Sequence, residues 1–141
     1  MSTRCDIGIY NGETVKHVYC HFDGYLEGVG ATLYNNYKWY YSAEELINGG
    51  DMSSLASTID ETNYYSKRGE NCPPVEECFE DYKKSLLMSD REYAYLFYRD
   101  EWYVAEVERD YIENKDKISG FTPLRWHEEV KYGGNLWFTQ Y

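Results

Sequence analysis

Near the start of the chain apolar positions alternate with a period of two. Cys5, Ile7 and Ile9 share one face of a strand, and Val18, Cys20 and Phe22 repeat the pattern. Asn11-Gly12 lies between the two runs and is a turn signal, so residues 5–22 predict a β-hairpin. An odd-sum register sets Ile7 and Ile9 against apolar partners and places His17, Tyr19 and His21 on the opposite face. After Asp23-Gly24-Tyr25-Leu26-Glu27-Gly28 the period changes. Val29, Leu33 and Tyr37 step by four, which predicts a helix of roughly three turns. Ser42, followed by Ala43, Glu44 and Glu45, reads as the N-cap of a second short helix, and Gly49-Gly50 supplies its stop.

Residues 51–71 show no sustained period and are rich in Ser, Thr, Asn and Gly, so they read as the longest loop. Pro73-Pro74 then opens a third predicted helix, with Val75, Cys78, Phe79, Tyr82 and Leu86 as its apolar stripe and Glu76 and Glu77 in its first turn. The aromatic and β-branched runs 93–99 and 102–107, separated by Asp100-Glu101, predict a second hairpin. After Thr122-Pro123, the aromatic residues Trp126, Trp137 and Phe138 surround a short helix and are expected to close the core. These elements predict a single α+β domain, residues 1–141, with a mainly antiparallel sheet from two β-hairpins and about three helices packed on one side.

Composition narrows the function. A length of 141 residues suits one domain, and 17 Tyr, 5 Phe and 4 Trp exclude a disordered, low-complexity chain. The formal net charge of −11 repels nucleic acid backbones and anionic lipid, so neither direct nucleic-acid binding nor a membrane role is expected. No apolar run approaches the roughly 18–20 residues of a membrane span, and the start MSTRCDIG lacks the apolar segment of a signal peptide, which points to the cytoplasm. Cys5, Cys20, Cys72 and Cys78 lack zinc-site or redox C-x-x-C spacing, so no metal or other cofactor is expected. Cys5 and Cys20 come close across the first hairpin and are the pair to test for a bridge under oxidising conditions.

The stretch 19–30 joins a strand to a helix through Gly24, Gly28 and Gly30. Unpaired amides at a helix N-terminus attract anions, and glycine lets a phosphate approach the main chain. The first 43 residues carry three basic and four acidic side chains, so this loop lies in the least acidic part of the chain. The ligand-binding reading therefore takes His21, Asp23, Gly24, Tyr25, Gly28 and Gly30, with Tyr25 stacking on the ligand. It adds Arg91, Arg99 and Arg109 as counter-charges from the second hairpin. The spacing matches neither a Walker loop nor a dinucleotide fingerprint, and the same glycines suit a plain tight turn. No hydrolase elbow, kinase or zinc-protease motif occurs, so no catalytic residue is assigned. His21 and Asp23, two positions apart, leave a metal-dependent hydrolase as one alternative.

Seventeen tyrosines exceed what a core of this size can hide, and the pairs Tyr40-Tyr41 and Tyr64-Tyr65 cannot both face it. With the acidic clusters 76–81, 106–113 and 128–129, they suggest a protein–protein inhibitor, in one form a mimic of the DNA phosphate array. Interleaved lysines favour a plain solvated face over that mimicry. Exposed aromatics also suit a homo-oligomer.

The run Ile7-Gly8-Ile9, then Tyr19-Cys20-His21-Phe22-Asp23-Gly24-Tyr25 and Val29-Gly30-x-x-Leu33, resembles a group of small phage and prophage accessory proteins. Gly50-Asp51-Met52-Ser53-Ser54-Leu55 and the second hairpin extend the resemblance. Phe22 stands where that group has Trp, and Leu26 where Pro is common. The resemblance implies a bacteriophage gene acting on host defence in the host cytoplasm. Its expected partner is a nucleotide-type immune signal, or alternatively a host defence protein such as a nuclease.

Overall fold

Residues 5–9 are all buried, so this strand needs hydrogen-bonding partners on both edges and cover on both faces. The structure, a computed structural model, describes residues 2–113 and 115–132. In chain order its elements are β1 (Cys5–Tyr10), β2 (Thr14–Cys20), α1 (Ala31–Asn36), α2 (Tyr40–Asn48), β3 (Met52–Ser54), β4 (Asn63–Tyr64), β5 (Val75–Cys78), α3 (Phe79–Leu87), β6 (Tyr93–Tyr98), β7 (Glu101–Glu108), β8 (Lys117–Ile118), β9 (Thr122–Pro123) and α4 (Glu128–Tyr132).

The sheet runs β4-β3-β2-β1-β6-β7-β8, with β5 also on β2 and β9 also on β7. β1 and β2 pair antiparallel in an odd-sum register, Ile7 opposite Val18 and Cys5 opposite Cys20. β6 and β7 form the second hairpin. The two hairpins meet through parallel pairing of β1 with β6, so the sheet is mixed and mostly antiparallel. Cys5, Ile7, Ile9, Val18, Tyr95 and Phe97 pack under α1, α2 and α4. The opposite face, with Val15, Ala94, Leu96 and Val107, is covered by Tyr82 and Leu86 of α3. The result is one α+β domain, with a helix on the second face in addition to those on the first.

Local chemistry explains both turns. Asn11 Oδ1 accepts the amides of Glu13 and Thr14, each at 2.8 Å, while Gly12 takes φ +97°. The second turn is Arg99-Asp100 rather than Asp100-Glu101. Both residues are left-handed, φ 48° and 64°, as a two-residue turn matched to strand twist requires.

Several expected elements shift. Val75, Glu76, Glu77 and Cys78 belong to a strand, not to the third helix, because the edge of β2 from Thr14 to His17 offers free backbone groups that they bond. The helix begins only at Phe79, and Val75 and Cys78 are exposed. The 51–71 loop contains β3 and β4, strands too short to show a period. Val29, Leu33 and Tyr37 are buried as expected, but α1 starts at Ala31 after one wide turn, Leu26–Gly30. α2 starts two residues before Ser42, whose hydroxyl reaches back to bond the Trp39 amide and carbonyl. Trp126 is 63% exposed and closes no core, and Trp137 and Phe138 lie outside the described residues. Among the described residues, no helix is long and apolar enough to cross a membrane.

Part of the aromatic excess is buried with its polar tips bonded to backbone carbonyls. The Tyr95 hydroxyl donates to Gly24 O (2.7 Å), Tyr37 to Ala56 O (2.8 Å), and the Trp102 indole to Tyr37 O (2.7 Å). These bonds pin the connecting segments to the sheet. On the α3 face, Gly8 lies opposite His17, and a Cβ there would stand 2.9 Å from His17 Cβ and 3.0 Å from Lys16 O. Gly8→Ala is expected to lower stability by about 1–3 kcal/mol, the usual cost of overpacking, read as a lower urea midpoint; an unchanged midpoint contradicts this.

Candidate functional site

The 21–30 loop is held by its own backbone. The His21 and Phe22 amides donate to Met52 O and Ser53 O, extending β2 alongside β3. The Gly24 amide donates to Thr3 O (2.8 Å), and those of Gly28 and Gly30 donate to Tyr25 O (3.1 and 3.4 Å). The two amides expected to face phosphate are therefore turned inward. α1 has only six residues, and the Asp23 and Glu27 carboxylates flank the loop. Its glycines serve close packing: a Cβ on Gly28 would lie 2.3 Å from Asp23 O, and one on Gly24 2.8 Å from Cys5 Cβ.

The polar side chains of the loop are engaged locally. Tyr25 donates to Asp23 Oδ1 (3.3 Å), and His21 Nδ1 meets the Tyr19 hydroxyl at 2.6 Å, with Phe22 edge-on to the imidazole. Asp23, at φ 58°, has left the strand, so it does not share a face with His21 as the spacing suggested. His127 bonds Thr122 instead. Among the described residues, no group of three or more His, Cys, Asp and Glu is placed to hold a metal ion. Cys5 and Cys20 are buried free thiols directly opposed, and burial, then the hydrogen bond between them, pushes Cys5 well up, away from the reactive thiolate.

The three arginines separate. Arg109 bonds the carbonyls of Leu87 and Arg91 (each 2.8 Å) and pairs with Asp116, so it fastens the end of α3. Arg91 lies over the Tyr19 ring at 4.5 Å and 3.4 Å from Asp6, beside the start of the loop. Arg99 stands at the far hairpin tip.

Behind Arg91 is a charged network that strand alternation alone did not reveal. Asp6, 1% exposed, and His17, 8% exposed, face α3 from neighbouring strands. His17 donates from Nδ1 to Asp6 Oδ1 (2.7 Å) and from Nε2 to Glu77 Oε2 (2.6 Å), which joins β1, β2 and β5. The Tyr82 ring meets the imidazole edge-on at 4.7 Å. Burial lowers the His17 pKa, but the hydrogen bond and charge of Asp6, with those of Glu77, outweigh it and hold the imidazole above its ordinary 6.5. Burial raises Asp6 despite His17 and Arg91. With both nitrogens occupied, His17 has none left to act as a base. The network is an internal fastening.

The arrangement that faces outward lies at the tip of the second hairpin. Trp102, bonded to Tyr37 O, draws the end of α1 against β7 and stands edge-on to Phe97 at 5.2 Å. β9 pairs with β7 and carries the chain into a 3-10 turn whose Arg125 meets Glu101. Between these walls is a groove of about 390 Å³ lined by Tyr34, Lys38, Phe97, Arg99, Trp102 and Arg125, together with Asp100 and Glu101. Arg125 is paired, whereas among the described residues Lys38 and Arg99 enter no ion pair. Three cations and two carboxylates thus line one groove, and with Arg125 held by Glu101 its positive charges without an ion pair among the described residues are Lys38 and Arg99, on a chain of net charge −11.

Fold and groove together define a mixed-sheet α+β domain with a charged surface groove at the tip of its second hairpin. Comparison with protein-family models, with curated proteins and with solved structures yields no match.

The buried network carries its own pH dependence. The folded state holds the His17 proton more tightly than the unfolded chain. Its contribution is therefore full below pH 6.5 and is lost as pH rises through the elevated folded value; the raised Asp6 acts with the same sign at lower pH. Urea titrations across neutral and alkaline pH should show stability falling with rising pH, and His17→Gln should flatten that slope. His17→Ala should cost about 3–5 kcal/mol by stranding Asp6. A wild-type slope of opposite sign contradicts the assignment.

Proposed function

We propose that the protein acts by binding rather than turnover, and that it holds a small phosphate-bearing ligand in the groove of Lys38, Arg99 and Arg125. The observation that carries this reading is the concentration of cations beside Tyr34 and Trp102 on an acidic molecule. The ammonium of Lys38 and the guanidinium of Arg99 suit phosphate oxygens, and about 390 Å³ falls within the range of small-molecule sites. This moves the ligand from the glycine loop to the hairpin tip and keeps Arg99 from the residues expected to bind it. The resemblance of residues 7–33 to phage and prophage accessory proteins supports counter-defence by sequestering a host nucleotide signal.

Isothermal titration with a panel of cyclic nucleotides and nucleotide-sugar signals tests it. At least one member should bind, and Lys38→Glu and Arg99→Glu should each weaken it about tenfold or more, ~1.4 kcal/mol. Gly28→Ala, which crowds Asp23 O, should lower stability without removing the site. No heat from any ligand contradicts the proposal.

Trp39 and Tyr41, 63% and 69% exposed beside Lys38, favour a second reading in which this face docks a host defence protein. It predicts that a Trp39→Ala, Tyr41→Ala protein loses counter-defence in plaque assays while its nucleotide affinity is unchanged. Loss of both together contradicts a separate protein interface.

A further inference from the structure

The α3 face of the sheet has a second concavity, walled by the rings of Tyr10, Phe79, Tyr98, Tyr103 and Phe121 with buried Leu96. Tyr10 stacks on Phe79 at 4.8 Å and lies 5.1 Å from Tyr98, so these walls are built before any ligand arrives. Its volume, about 190 Å³, is below the roughly 300 Å³ at which pockets hold a whole drug-sized ligand. It suits one ring system of a larger molecule.

A third hollow lies between this concavity and the groove of Lys38 and Arg125 and shares lining residues with each. Tyr10 and Tyr98 also line this third hollow, of about 320 Å³, over the two hairpin tips. Phe97, Arg99 and Asp100 are shared between that hollow and the groove of Lys38 and Arg125. The three hollows thus follow one another around the end of the sheet, and Arg99 lines the two nearer the groove.

Cations of the chain itself select the occupant. Aromatic rings attract positive charge, yet the Arg99 guanidinium already lies 5.0 Å from the Tyr98 centroid and the Lys83 ammonium 4.9 Å from that of Phe79. A further cation meets like charge there. A neutral planar ring carrying an anion meets aromatic surface and Arg99 together.

We infer that the ligand is an elongated nucleotide, with a base stacked among Tyr10, Tyr98 and Tyr103 and phosphates passing Arg99 toward Lys38 and Arg125. This rests on the anion-binding reading above and adds a base subsite on the opposite face of the sheet. Stacking of this kind tolerates different bases, so the subsite defines the class of ligand rather than the base.

Aromatic and amide NMR of the full chain, titrated separately with adenosine, inorganic triphosphate and ATP, tests the two halves independently. Adenosine should shift the ring signals of Tyr10, Tyr98 and Tyr103 saturably, and triphosphate the amides of Arg99 and Asp100. ATP should do both, with an affinity about tenfold or more above that of adenosine. Tyr103→Ala should remove the adenosine response and spare that of triphosphate, with Tyr103→Leu used if the alanine variant does not fold. Lys38→Glu should erase the advantage of ATP and leave adenosine unchanged. A triphosphate response without adenosine shifts overturns the base subsite while leaving the anion reading. Adenosine binding with no gain for ATP overturns the anion reading and with it the elongated ligand.

Discussion

β1 is hydrogen-bonded on both edges and covered on both faces, so anything charged on it must find its partner inside the protein. Asp6 is that charge. It recruits His17 from β2 and Arg91 from the segment before β6, and His17 in turn holds Glu77 of β5. The short β5 thereby gains an anchor beyond its ladder bonds, and α3, which follows it directly, is delivered to the second face of the sheet. Removing one member leaves a buried charge unpaired, so the network makes the sheet, its outer strand and its second helical layer interdependent.

The same economy operates at the hairpin tips, with neutral groups. Buried aromatic side chains spend their polar tips on the carbonyls of connecting segments, and Trp102 fixes the end of α1 beside β7. That single bond brings Lys38 and Tyr34 to the turn that presents Arg99. Arg125 arrives from the opposite wall through β9 and its pair with Glu101. The groove is built on the ends of paired strands rather than on a long loop, which suits recognition by pre-placed charges. The interior histidine and the opposed thiols are committed to packing.

How much of this was legible in the sequence depended on the range of each interaction. The first hairpin, its register and the faces of Cys5, Ile7 and Ile9 followed from alternation and the Asn11-Gly12 turn, which act within a few residues. Helical spacing of Val75, Cys78 and Phe79 sets the start of α3 too early, because the force that extends residues 75–78 comes from the edge of β2, some sixty residues away in the chain. The glycines of the 21–30 loop are equally compatible with phosphate approach and with close packing. Only the positions of Asp23 O and Cys5 Cβ decide for packing. Arg99 stands out in the sequence, but Tyr34, Lys38, Trp102 and Arg125 join it only after the sheet, α1 and the segment after β9 are assembled, and no local pattern encodes that meeting.

The central claim is that the groove at the hairpin tip captures a nucleotide-sized anion. Native mass spectrometry of protein freshly purified from bacterial cells tests it most directly, because a sequestering protein should carry its ligand through purification. The account predicts a species heavier than the polypeptide by one nucleotide-class molecule, released on denaturation and missing from the Lys38→Glu protein. The bare polypeptide mass alone, in wild type and variant alike, would contradict it.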